Sequence, residues 1–129
     1  MDRTVNSKLA NISSRGLVQA GDNVMIAGVI VLGADSQKVI VRALGPSVDV
    51  PGYFLDPTLE LHDGNGALIA SKDNWRTDQE AEIIATALPP PNDAESAIVR
   101  TLPPAPYTAI VRGAKGTRGI ALVEVYALK

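Results

Sequence analysis

At 129 residues, with 12 basic and 14 acidic side chains and a net charge of −2, the chain has the length of one domain and is close to charge balance. The balance excludes the clustered basic face of a nucleic-acid binder, and an aromatic content of 4% leaves little material for base stacking or an aromatic sugar platform. Cysteine is absent, which excludes disulfides, thiolate metal sites and a thiol nucleophile.

From the N-terminus, "MDRTVNSKLA" lacks the apolar core of a signal peptide. "KLANIS" and "GLVQ" read as a first strand broken at Arg15-Gly16, and "AGDN" at 20–23 as a turn. The second strand is "VMIAGVIVL". The run containing it, "VMIAGVIVLG" at 24–33, is about half the length a membrane-spanning helix needs, so membrane insertion is not expected. "QKVIVRAL" is the third strand, ended by Gly45-Pro46. "TLELH" and "ALIAS" flank Asp63-Gly64-Asn65-Gly66, a hairpin signal because both glycines and Asn65 tolerate positive φ.

One helix interrupts the strands. Thr77 and Glu80 have capping-box spacing, and Ala81, Ile84, Ala85 and Leu88 fall on one helical face before Pro89-Pro90-Pro91 stops it. "SAIVRTL", "YTAIVRG" and "GIALVEVYAL" follow as three strands. The last is apolar on both sides through Ile120, Leu122, Val123 and Val125, as a central or closing strand should be. Short apolar runs separated by turn residues about every ten positions predict an all-β fold. The expected fold is a jelly-roll-like antiparallel β-sandwich of about eight strands with one short helix, a single domain over 1–129.

Several stretches carry candidate chemistry. Hard oxygen ligands for calcium are available from Asp73, Asn74 and Asp78, with Asp93 or Glu95 approaching from "PNDAES". The same residues are ordinary turn formers and caps, and the stretch from Asp63 fails the EF-hand spacing at its fifth, sixth and twelfth positions. The single histidine, His62, has neither a thiol nor a G-x-S-x-G serine to activate. "GAKGT" at 113–117 inverts the phosphate-loop order. An enzyme is therefore not expected, and no cofactor is required. Trp75, the only tryptophan, is either a cover for the sandwich end or a binding residue for a sugar or partner. Three strands end in Ile-Val-Arg, at Arg42, Arg100 and Arg112; these arginines suit sheet margins better than an anion-binding row.

The strings "RALGPS", "DPTLELHDGNGALIASKDNWRTDQEAEI", "NDAESAIV" and "YTAIVRGAKGTRGIALVEVY" carry a resemblance. Over nearly the whole chain from Leu9, the sequence resembles a β-rich domain of large surface proteins of Verrucomicrobia-type bacteria. Over residues 57–126 it more distantly resembles the bacterial pre-peptidase C-terminal domain. It departs from the surface-domain pattern in a short loop from Gly45 to Asp56 and in Pro-Pro-Ala-Pro at 103–106. The resemblance implies a non-catalytic module, extracellular or at the cell surface, and lends some weight to calcium at Asp73 and Asp93. With the N-terminal strand (1–14) exchanged or added to a neighbour, the expected partners are further copies or adjacent surface domains. Val5, Leu9, Ile12, Val29 and Val31 are then the expected assembly interface, and binding of a carbohydrate or other ligand is the alternative.

Overall fold

The computed structural model describes residues 12–18 (backbone), 25–46, 56–113 and 119–128. Eight strands are found there: β1 (Ile12–Val18), β2 (Met25–Val31), β3 (Gln37–Leu44), β4 (Pro57–Asp63), β5 (Leu68–Lys72), β6 (Ser96–Leu102), β7 (Ala105–Gly113) and β8 (Gly119–Ala127). They form two four-stranded antiparallel sheets, ordered β1-β8-β3-β6 and β2-β7-β4-β5. The chain is a jelly-roll sandwich, as expected from the turn spacing. β8 is a central strand, between β1 and β3.

Strand alternation fixes the core. β2 shows a strict buried–exposed alternation, sending Met25, Ala27, Val29 and Val31 inward. They meet Val39, Val41, Leu59, Leu61, Ile98, Val111, Val123 and Val125 between the sheets. A second apolar cluster lies on the outer face of the first sheet. Ile40, Ala97 and Val99 are covered there by Trp75 and Ile83, which come from a 3-10 turn (Trp75–Thr77) and helix α1 (Glu80–Ala85).

Three local expectations are corrected. β1 runs unbroken through Arg15-Gly16, because each of its residues from Ile12 to Val18 has a register partner on β8. Thr77 does not cap the helix: its hydroxyl donates to the Asn74 carbonyl at 2.7 Å, closing the 3-10 turn. Gln79 takes the N-cap position with φ 61°, which shifts the buried helix face to Ile83 and leaves Ile84 exposed. The turn at 20–23 and "GAKGT" beyond Gly113 lie outside the described residues.

Candidate functional site

The polar corner after β5 is the first candidate, and its residues are occupied with holding the fold. Trp75 is only 2% exposed, and its backbone N–H donates to the Glu95 carbonyl at 2.8 Å. The Arg76 guanidinium stacks over the Trp75 ring, 4.2 Å from its centroid, and pairs with Asp93 at 2.8 Å and with Glu80. The cation that Asp93 meets is thus supplied by the chain. Glu95 is fully buried, and its carboxylate accepts from the Gly45 N–H at 2.7 Å and the Asn92 N–H at 3.0 Å. Asp73 gives its carbonyl to the Ser96 hydroxyl. The Oδ1 of Asn74 is buried without a hydrogen-bond partner among the described residues, as is the Trp75 Nε1.

Asp73, Asn74, Asp93 and Glu95 therefore stand around one corner in four different roles. Among the described residues no three His, Asp or Glu side chains gather as a metal-holding group. Of the two readings of Trp75, its burial fits the cover: a ring packed against Ile40 and Ile83 offers no platform.

The hairpin stretch is a turn built on Asp63. Its carboxylate accepts from the N–H groups of Asn65 (2.9 Å) and Ala67 (3.0 Å), and Gly66 takes φ +85°. Beside it, His62 Nε2 donates to Glu60 at 2.9 Å and Nδ1 donates to the Gly66 carbonyl at 3.2 Å. Both partners are acceptors, so only the doubly protonated ring satisfies both. The Glu60 bond accordingly raises the His62 pKa above its ordinary value, and the same bond, helped by Arg112 at 3.3 Å, lowers that of Glu60. The carboxylate, imidazole and guanidinium close on one another, with no serine, threonine or lysine nucleophile in the set.

The three Ile-Val-Arg arginines do not form a row. Arg42 pairs with Glu124 and reaches the Leu88 carbonyl at 3.2 Å, Arg112 meets Glu60, and Arg100 donates to the Ile69 carbonyl at 2.7 Å, bridging the two sheets at one edge.

Among the described residues, nothing covers the outer face of the second sheet at β2. Ile26 and Ile30 are 62% and 57% exposed, and Leu32, just past the strand, is 62% exposed. Register sets Ile26 beside Ile110, Gly28 beside Thr108 and Ile30 beside Pro106 on β7. An open cavity of about 490 Å³ adjoins this strip, lined by His62, Asp63, Pro106, Tyr107, Thr108 and Ile110. Of the expected assembly residues, Val29 and Val31 lie on β2 with their side chains in the core, and Ile26 and Ile30 are the outward ones. Ile12 begins β1 and pairs with Val125 of its own chain, whereas Val5 and Leu9 lie outside the described residues. The double-sided apolarity of "VMIAGVIVL" is the signal for this strip in the sequence; the parity of the strand, which decides which residues face out, does not follow from it.

No family model matches the sequence, and no curated protein matches it, so nothing in these comparisons supports the resemblance to the surface-protein domain. Among solved structures, the chain is similar to the pre-peptidase C-terminal domain of a collagenase from Bacillus anthracis. The TM-score is 0.59 at 14% identity, over 90% of this chain and 89% of that one. The likeness is one of fold, and it reaches well beyond residues 57–126, where the sequence resemblance was drawn.

Proposed function

We propose that this domain is a non-catalytic accessory module of a secreted protein, and that it works by contact with other protein surfaces through β2. The observation that carries the proposal is the exposed strip of Ile26 and Ile30 on an edge strand, continued by Leu32 just past it, when the outer face of the other sheet is covered by Trp75 and α1. Exposed apolar side chains on one strand edge mark an interaction surface better than a catalytic one. In support, the fold likeness is to a domain of a collagenase, and the charged side chains Glu60, Arg76, Asp93 and Arg112 are paired within the chain. The form of contact proposed is self-association by strand addition. Light scattering across a concentration series tests it. Mass rising with concentration, and held at the monomer by Ile26→Lys or Ile30→Lys with the circular dichroism spectrum unchanged, is the expected result. A monomer at every concentration overturns it.

A second reading has one observation in its favour. The cavity beside the hairpin combines an apolar floor of Pro106, Tyr107 and Ile110 with polar groups from His62, Asp63 and Thr108. That mixture suits a small polar ligand such as a saccharide. Saccharide titration followed at the His62 and Thr108 resonances checks it, and unmoved resonances remove it.

A further inference from the structure

Four strands bound the sandwich: β1 and β6 in one sheet, β2 and β5 in the other. A free edge presents unpaired N–H and C=O groups, and natural domains blunt such edges with charges, coverings or irregular pairing. Three of these four carry such a device. Gln79 lays its side-chain amide on the β6 edge, donating to the Val99 carbonyl at 2.9 Å and accepting from the Val99 N–H at 3.1 Å. β5 is only five residues long, ends in Lys72 and pairs through a register shift at Leu61/His62. β1 carries an arginine at its midpoint, Arg15. β2, "MIAGVIV", has no charged residue and no proline, and among the described residues its only sheet neighbour is β7.

The same seven residues read almost alike in both directions about Gly28. Met25 mirrors Val31, Ile26 mirrors Ile30 and Ala27 mirrors Val29. Antiparallel pairing of two such strands about a two-fold axis through Gly28 therefore sets each residue against one of its own kind. Ile26 faces Ile30 of the second copy on the outer surface, and Met25 faces Val31 on the core side. Gly28 faces itself at the axis, where a Cβ added to it would meet open space.

We infer that β2 is a homodimerisation strand, pairing antiparallel with β2 of a second copy of this chain about Gly28 to join two four-stranded sheets into one of eight. The inference rests on the protein-contact reading above, and names its partner and register. Symmetry closes the contact: both copies use the same edge, so a dimer forms and not a filament. β1 lies against β2 across the sandwich, so the joined edges are one to two sheet layers deep. Seven residues span about 24 Å and each layer is about 10 Å deep, which covers roughly 500 to 1,000 Å² in total. That is below the roughly 1,200 Å² where stable interfaces begin, so the dimer is a weak, reversible one. A weak complex is best caught by a covalent trap.

The absence of native cysteine makes that trap clean. Ile26→Cys and Ile30→Cys are made separately, then mixed and oxidised. In the proposed register the thiol of the Ile26→Cys copy lies opposite that of the Ile30→Cys copy. Two copies of position 26 are instead about 14 Å apart, beyond disulfide reach. The expected result is at least about tenfold more disulfide dimer in the mixture than in either variant alone, set by that difference in reach. Equal yields from the single variants and the mixture overturn the register. If light scattering still shows association in that case, the protein-contact reading stands and only the β2 pairing falls. No cross-linking together with a monomer at all concentrations overturns both.

Discussion

The side-chain amide of Gln79 pairs with the backbone of Val99 as a neighbouring strand would, donating at 2.9 Å and accepting at 3.1 Å. One residue thus starts α1 and finishes the edge of β6. It does so at φ 61°, a left-handed conformation that costs a non-glycine residue about 1 kcal/mol. The pair of bonds to Val99 offsets that strain.

Gln79→Ala removes both bonds while keeping the strain, and is expected to destabilise the domain by about 1–2 kcal/mol. Gln79→Gly loses the same bonds but relieves the backbone, so it should cost about 1 kcal/mol less. Urea unfolding of the three proteins checks the order. Equal losses for Ala and Gly would show that the left-handed backbone carries no strain.

The His62–Glu60 contact gives stability a pH window. His62 has a folded pKa above 6.5, so its contribution is complete below 6.5 and is lost as pH rises through the folded value. Glu60 has a folded pKa below 4.5, so its contribution is complete above 4.5 and is lost as pH falls through its folded value. The contact is strongest between about 4.5 and 6.5, where both groups are charged. Melting temperature against pH should decline on the alkaline side in the native protein, and His62→Gln should flatten that limb. An unchanged alkaline limb in the variant would rule the contact out as its source.

Trp75 is expected to emit as a buried indole and to resist quenching by iodide, because Ile40, Ile83 and Val99 enclose it. Its Nε1 has no hydrogen-bond partner among the described residues, so Trp75→Phe forfeits ring volume and little else. Trp75→Ala should cost about 3–5 kcal/mol, and Trp75→Phe clearly less, in chemical denaturation. Strong quenching by iodide in the folded protein would contradict the packing.

Glu95→Ala leaves the buried N–H of Gly45 and the N–H of Asn92 at the surface loop without their acceptor and is expected to cost about 2–3 kcal/mol. Glu95→Gln keeps an acceptor oxygen and should recover part of that loss. Amide hydrogen exchange checks the assignment: Gly45 and Asn92 should lose protection in Glu95→Ala more than amides in the middle of β8 do.

The sandwich was legible because turns announce themselves chemically. Asp63-Gly64-Asn65-Gly66 has the residues its turn conformation demands, and apolar runs of strand length lie between such signals. What was hidden depends on partners far along the chain. Arg15-Gly16 looks like a break until β8 supplies a pairing partner for each residue of β1. Thr77 looks like a helix cap until its hydroxyl is spent on Asn74, and the helix register then moves by one residue to bury Ile83. Acidic residues at 73, 93 and 95 suggest a cation site. A guanidinium three positions on from Asp73 and two backbone amides absorb the acids at 93 and 95 instead, and no spacing rule announces either.

The antiparallel pairing of β1 with β8 also sets how the domain answers to force. Ile12 stands opposite Val125 and Val18 opposite Gly119, so the start of β1 and the end of β8 leave the sheet at the same end. A pull applied between those two points loads the ladder one hydrogen bond at a time, as a zip opens, and never loads all seven residue pairs together. The domain should therefore yield at low tension through separation of β1 from β8, however stable its core is to heat or denaturant.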